Sequence, residues 1–155
     1  MSGADFSIHG STYGWATHGA RRFAAMKDAA HLNLTLAWLW LLLAFVSGMV
    51  MGLFFHREDW LGGYASHARR MYRLGHISFF GLGLVNWMFH GTAQRFAAMT
   101  PAAQCASWAF VVGAVTMPLC CALMAQNVRW RHAFAVPVVS LLLGAALTVK
   151  EIIRL

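Results

Sequence analysis

Residues 34–55, LTLAWLWLLLAFVSGMVMGLFF, decide the fold because they have the length and composition of a transmembrane helix. The run holds no charged side chain, and a helix of this length crosses about 30 Å of hydrocarbon. Three further apolar stretches follow at residues 74–93, 102–126 and 133–153. Backbone polar groups in lipid must be satisfied within the segment, which favours helices over open strands. We therefore expect an all-α, integral membrane four-helix bundle.

The composition agrees with a membrane protein. Of the 155 residues, 59% are hydrophobic and 11% are charged, whereas a soluble domain carries about 25% charged residues. Four spans leave little chain for a catalytic domain outside the membrane, and they place both termini on the same side. We expect a multi-pass protein of the bacterial inner membrane with no autonomous enzyme activity.

The net charge of +7 does not indicate nucleic acid, because the basic residues lie between the apolar runs. Anionic lipid headgroups are the expected counter-charge. The positive-inside rule does not set the orientation, since six Lys and Arg residues lie on each side. The terminal side carries Arg21, Arg22, Lys27, Arg95, Lys150 and Arg154, and the other side carries Arg57, Arg69, Arg70, Arg73, Arg129 and Arg131.

One internal repeat is visible. RFAAMKDAAH at residues 22–31 and RFAAMTPAAQ at residues 95–104 share seven of ten positions, and each precedes an odd-numbered span. This pattern predicts a parallel duplication of a two-helix unit, with an interfacial helix in each copy. We accordingly divide the chain into a polar N-terminal segment with an interfacial helix, residues 1–33, and a four-helix domain, residues 34–155.

The second span carries a line of three residues on one face: His76, Gly83 and His90. Fourteen residues are close to four helical turns, so the two imidazoles would lie about 21 Å apart along the axis. An uncharged imidazole is an axial ligand for haem iron, and glycine leaves room for a flat macrocycle. The same histidines are also compatible with a structural role, bonded to carbonyls or lipid phosphates.

This line resembles one ligand-bearing helix of the di-haem cytochromes b, and the resemblance covers the second span only. It implies a b-type haem near each membrane face, with His76 and His90 as iron ligands. No other span carries two interior histidines. The partner ligands would be His31 opposite His90, and either His56 or His132 opposite His76.

Arg73 and Arg70 lie about one and two turns before His76, respectively. If His76 binds haem, these two arginines are the expected partners of its propionates, because guanidinium groups bind carboxylates in a bidentate manner. Without haem they would anchor lipid phosphates. Asn86, on the flank of the same face, is expected to bond a neighbouring helix.

The third span carries a stripe of sulfur, Met117, Cys120, Cys121 and Met124, at helical spacing. Soft sulfur ligands select Cu(I), so the stripe is a candidate copper site. The alternative is ordinary packing by polarizable side chains. Pro118 is expected to kink this helix and to leave a carbonyl without its helical partner.

Three functions remain once acid–base catalysis and proton-coupled transport are set aside, because no span has an interior Asp or Glu. The first is a small integral membrane subunit of a bacterial respiratory or electron-transfer complex, which carries b-type haem or borders a quinone site. The second is a cofactor-free accessory subunit that binds lipids and other membrane subunits. The third, copper handling, rests on the sulfur stripe alone.

Overall fold

The computed structural model describes the backbone of residues 12–155 and the side chains of residues 31–155. Four α-helices make up the fold: α1 (Thr12–Phe54), α2 (His67–Ala93), α3 (Pro101–Gln126) and α4 (Ala135–Ile152). Two 3-10 segments, Trp60–Gly62 and Val128–Phe134, lie in the connections before α2 and α4. The prediction of an all-α bundle of four helices is confirmed.

Each helix packs on the next one in the chain, and α1 also contacts α3. Helices α1, α2 and α3 thus form a three-way core, and α4 packs on α3. The centre of this core is built from Leu36 and Trp40 of α1, Leu82 of α2 and Ala114 of α3. A second cluster joins Phe89 of α2 to α3.

Three segments are long and apolar enough to cross a membrane: His31–Phe54, Pro101–Gln126 and Val128–Ile152. Their outward faces carry large exposed apolar side chains, such as Trp38, which is 64% exposed. Lipid is the natural solvent for such faces. The protein is therefore a multi-pass membrane protein with three candidate spans. Helix α2 is not among them, and it carries most of the polar side chains discussed below.

The helix boundaries differ from the expected ones at two places. Helix α1 continues without a break from Thr12, so the expected boundary at residue 33 does not interrupt it. The first repeat copy, up to residue 30, lies outside the described side chains. The second copy begins as a turn with bends rather than an interfacial helix, and Phe96 within it is buried. Thr100 is extended, as expected for a residue before proline, and its side chain caps α3.

A buried polar junction ties α1, α2 and α3 together. Asn33, Asn86 and Ser107 are all fully buried. The Asn33 amide donates to Asn86 Oδ1 at 2.7 Å, and the Ser107 hydroxyl donates to Asn33 Oδ1. Asn86 also donates to the Leu82 carbonyl at 2.9 Å. The expected bond from Asn86 to a neighbouring helix is confirmed, and the network fixes the register of three helices.

Pro118 accounts for a second contact between helices. A proline has no N–H, so the Ala114 carbonyl loses the helical bond that residue 118 would otherwise donate. The indole nitrogen of Trp40 donates to this carbonyl instead, at 3.0 Å. The orphaned acceptor of α3 is thus satisfied by α1, as a buried carbonyl in lipid requires.

Candidate functional site

A cavity of about 440 Å³ lies between α1, α2 and α3, below the 3-10 turn that precedes α2. Its lining is almost entirely apolar. Val50 and Tyr72 on its rim are exposed, so the cavity can be reached from the protein surface. The lining residues are Ser47, Val50, Met51, Trp60, Leu61, Met71, Tyr72, Gly75, His76, Phe79, Pro118, Cys121 and Ala122.

His76 is the only histidine in this lining. Its Nδ1 lies 3.0 Å from the hydroxyl of Ser47 on α1. Its ring also packs on Gly48, because a Cβ added there would lie 2.9 Å from the ring carbon Cε1. A glycine at position 48 therefore makes room for the imidazole. Gly52, four residues after Gly48, has open space around it.

This arrangement leaves one nitrogen of His76 for a ligand. Nδ1 is engaged by Ser47, and this is the one side-chain hydrogen bond of His76 found within residues 31–155. A half-buried imidazole with one ring nitrogen fixed from behind can hydrogen-bond an oxygen through the other. The site combines an apolar cavity with one polar group, which is the usual form of a small-molecule pocket.

The Arg69 side chain contacts the connection between α1 and α2, next to the cavity. Its guanidinium donates to the Phe55 carbonyl at 3.1 Å, and its Cζ lies 4.5 Å from the centre of the Tyr64 ring and 5.5 Å from that of Trp60. The residue is 1% exposed, and in residues 31–155 no Asp or Glu forms an ion pair with it. Carbonyls and aromatic faces replace a counter-ion here.

At the other end of α2, His90 lies beside His31 of α1. The two ring centres are 6.4 Å apart and the rings are tilted by 42°. Two imidazoles that share one metal ion through bonds of about 2 Å would have centres about 6 Å apart. The structure brings together the two histidines that we expected to face each other, at a separation of ring centres close to that value.

Gly83 lies against α1 instead of a macrocycle. A Cβ added to Gly83 would be 3.1 Å from the Ala37 carbonyl oxygen and 3.3 Å from Cβ of Trp40. The backbones of α1 and α2 therefore approach closely at this point, and no space for a flat ring remains beside Gly83. Its position on the histidine line reflects helix packing.

The structure does not bring His56 or His132 to His76. Both are exposed, one after α1 and the other before α4, and the contact made by His76 Nδ1 is with Ser47. The pairing of His76 with His56 or His132 stays a prediction, and the structure adds Ser47 as the residue that contacts Nδ1 of His76.

Arg70 and Arg73 also lie at the His76 end of α2. Arg70 is exposed, and the Arg73 guanidinium carbon lies 5.4 Å from the centre of the Tyr64 ring. Both are about 25 to 30 Å from His90 along the helix, too far to hold the propionates of a haem bound there. The exposure of Arg70 suits contact with lipid phosphates.

The two cysteines of the sulfur stripe contact different parts of the structure. The Cys120 thiol lies 3.4 Å from the Ala133 carbonyl in the 3-10 segment before α4, while Cys121 lies against Gly75 of α2 and lines the cavity. Met117 and Met124 are half-buried. The two thiols thus contact different elements, an arrangement that suits packing better than shared ligation. Within residues 31–155 no group of three His, Cys, Asp or Glu side chains could hold a metal.

Comparison with known proteins adds no relative: no family model matches the chain, and no curated protein or solved structure is similar to it.

Sequence reasoning missed Ser47 and Arg69. Ser47 was one small residue in a long apolar run, although it immediately precedes the glycine pair Gly48 and Gly52. Arg69 is one of three arginines within five residues, and only the folded loop distinguishes the buried one. A serine beside a glycine in a span is the available signal for a close polar contact between helices.

Proposed function

We propose that the chain is a small integral membrane subunit of a bacterial electron-transfer complex, and that the cavity beside His76 takes a quinone-type ring. The observation that carries this proposal is the pairing of a cavity of about 440 Å³ with a single imidazole fixed by Ser47. Ligand pockets typically enclose about 300 to 1,000 Å³ and combine apolar walls with a few polar groups.

The residues present fit such a ring. Trp60, Met71 and Phe79 supply flat or flexible apolar walls, and Nε2 of His76 would hydrogen-bond one ring oxygen. The bound quinone would supply two-electron carrier chemistry. The protein would contribute binding, orientation and exclusion of water, because this cavity contains no Asp or Glu.

The test is binding of 2-decyl-1,4-benzoquinone to the purified full chain, measured by isothermal titration calorimetry. His76→Phe keeps the ring shape and removes the nitrogen, and we expect it to weaken binding about 3- to 10-fold, the effect of one hydrogen bond. Ala122→Phe fills the cavity and should abolish binding. His132→Phe is the matched control, since His132 is exposed and outside the cavity. If the wild type and the three variants bound the quinone with equal affinity, the quinone site beside His76 would be refuted.

A b-type haem between His31 and His90 is a second candidate, supported by the 6.4 Å separation of their ring centres. A haem there would supply one-electron chemistry, and the two imidazoles would be its axial ligands. Dithionite-reduced minus oxidised spectra of the wild type should then show a b-type band. His31→Ala and His90→Ala should lose it, and His76→Ala should keep it. A spectrum unchanged in the first two variants would exclude this ligand pair.

The membrane arrangement in this proposal has four spans. Helix α2 has 27 residues, about 40 Å of helix, and it packs against both α1 and α3. Its polar residues Asn86 and Ser78 are buried, the first bonded to Asn33 of α1 and the second to the Gly75 carbonyl of its own helix, which makes a fourth span compatible with lipid. Both termini would then lie on one side, as a parallel duplication of a two-helix unit requires.

The expected partners are other membrane subunits and anionic lipids. Apolar faces of α4 and of the described part of α1, residues 31–54, are exposed, and neighbouring subunits or lipid would cover them. A cofactor-free accessory subunit remains the alternative function. It would be indicated if the wild-type chain bound neither the quinone nor haem.

A further inference from the structure

We infer that Ser47 determines whether Nε2 of His76 donates or accepts a hydrogen bond. The cavity can then bind both a quinone and the corresponding quinol. This inference rests on the proposed function of the cavity. It makes Ser47 a positioning residue, which acts through His76.

The Ser47 hydroxyl lies between two partners. Its Oγ is 3.1 Å from the Ala44 carbonyl oxygen of its own helix and 3.0 Å from Nδ1 of His76. A hydroxyl has one proton to donate, so it can donate to only one of these two acceptors at a time. The Ala44 carbonyl also lies in a regular helix and keeps its backbone bond in either case.

Each of these two acceptors of the Ser47 proton goes with one tautomer of the neutral His76 imidazole. When the hydroxyl donates to Ala44, its oxygen accepts the proton of Nδ1, and Nε2 of His76 presents a lone pair. When the hydroxyl donates to Nδ1 instead, Nε2 carries the proton. A neutral imidazole has one donor and one acceptor nitrogen, so rotation of one hydroxyl accompanies exchange of these roles.

The two forms match two ligands. A quinone oxygen only accepts a hydrogen bond, and it requires Nε2 to be protonated. A quinol hydroxyl can donate to the unprotonated Nε2, whereas against a protonated Nε2 it could only accept, which would leave its own proton unpaired in an apolar cavity. The imidazole rests against Gly48, where an added Cβ would lie 2.9 Å from Cε1, so the ring keeps its place while its proton changes position.

Removal of the hydroxyl should affect the two ligands unequally. In Ser47→Ala, a proton on Nδ1 would be a buried donor without an acceptor, which is rarer and costlier than an unfilled acceptor. The form with the proton on Nε2 should then predominate. We expect quinol affinity to fall about 5- to 10-fold and quinone affinity to change less than about 2-fold. Ser47→Thr keeps a hydroxyl and should behave as the wild type.

The experiment measures the dissociation constants of 2-decyl-1,4-benzoquinone and its quinol for the full chain, for Ser47→Ala and for Ser47→Thr. Gly48→Ala is a further comparison, because displacement of the whole ring should weaken both ligands equally. Equal changes for both ligands in Ser47→Ala, or no change, would overturn the inference. Failure of the wild type to bind either ligand would overturn the proposed function and the inference with it.

Nitrogen-15 NMR spectra of histidine-labelled protein show which ring nitrogen of His76 carries the proton. If Ser47 had only a structural role, this protonation would not depend on it. In the wild type, His76 should carry its proton on Nε2 in the quinone complex and on Nδ1 in the quinol complex. In Ser47→Ala, Nε2 should be protonated in both complexes. The same protonated nitrogen in both wild-type complexes would contradict the role assigned to Ser47.

Discussion

We expect the hydrogen bond from Trp40 to the Ala114 carbonyl to stabilise the fold more when residue 118 is proline than when it is alanine. Trp40→Phe removes the indole N–H and leaves a buried carbonyl with neither a helical nor a side-chain donor. Pro118→Ala restores a backbone N–H that can donate to that carbonyl. The double variant should therefore be more stable than the sum of the two single changes indicates.

The magnitude follows from the groups left unpaired. A buried acceptor without a partner costs about 1 to 3 kcal/mol, and hydrogen bonds between membrane helices average about 0.6 kcal/mol with a maximum near 1.7. Trp40→Phe loses the same side-chain volume whether residue 118 is proline or alanine. This contribution therefore cancels in the double-mutant cycle. We expect a coupling free energy of about 1 kcal/mol between positions 40 and 118.

The assay is reversible unfolding of the four proteins in mixed micelles, followed by circular dichroism. Trp38→Phe is the matched control, because Trp38 is 64% exposed and should show no coupling to Pro118. A coupling of less than about 0.3 kcal/mol between positions 40 and 118, within the error of additivity, would refute the argument that the indole replaces the missing backbone donor.

Three further variants test the packing by the same unfolding assay. Gly83→Ala should destabilise the fold by about 1 to 3 kcal/mol, because its Cβ would meet the neighbouring backbone at 3.1 Å, whereas Gly81→Ala, in open space, should be neutral or slightly stabilising. Asn33→Ala should cost about 2 kcal/mol or more, since it removes the donor to Asn86 Oδ1 and the acceptor of the Ser107 hydroxyl, both of which are buried. Arg69→Lys should expose the loop before α2 to proteolysis, because an ammonium cannot replace a stacked guanidinium, and Arg70→Lys should not. Equal cleavage of both arginine variants would contradict the role assigned to the buried one.

The helices were predictable from the sequence because long apolar runs have one stable form in lipid. The end of α1 and the start of α3 followed from composition and from Pro101. The beginning of α2 was not predictable from hydropathy, because Ser66 caps the helix at the polar end, eight residues before the apolar run that begins at residue 74. Capping depends on a local hydrogen bond that hydropathy does not register.

The candidate site was predictable only in part. The sequence placed His76 and His90 on one face of α2, and the contact between His90 and His31 follows from antiparallel packing of α1 and α2. The partner of His76 depended on the rotation of α1 about its axis, which the sequence does not specify. In the structure Ser47 lies against His76, and this hydrogen bond at the cavity wall was not predicted from the sequence.

Photolabelling of the full chain with an azido-quinone, followed by mass spectrometry of its peptides, tests the site at His76 most directly. The account predicts labels on the cavity segments at residues 47–51 and 71–79, lost on addition of excess 2-decyl-1,4-benzoquinone and in Ala122→Phe. Labels spread over lipid-facing positions such as Trp38, with no competition by the unlabelled quinone, would contradict it.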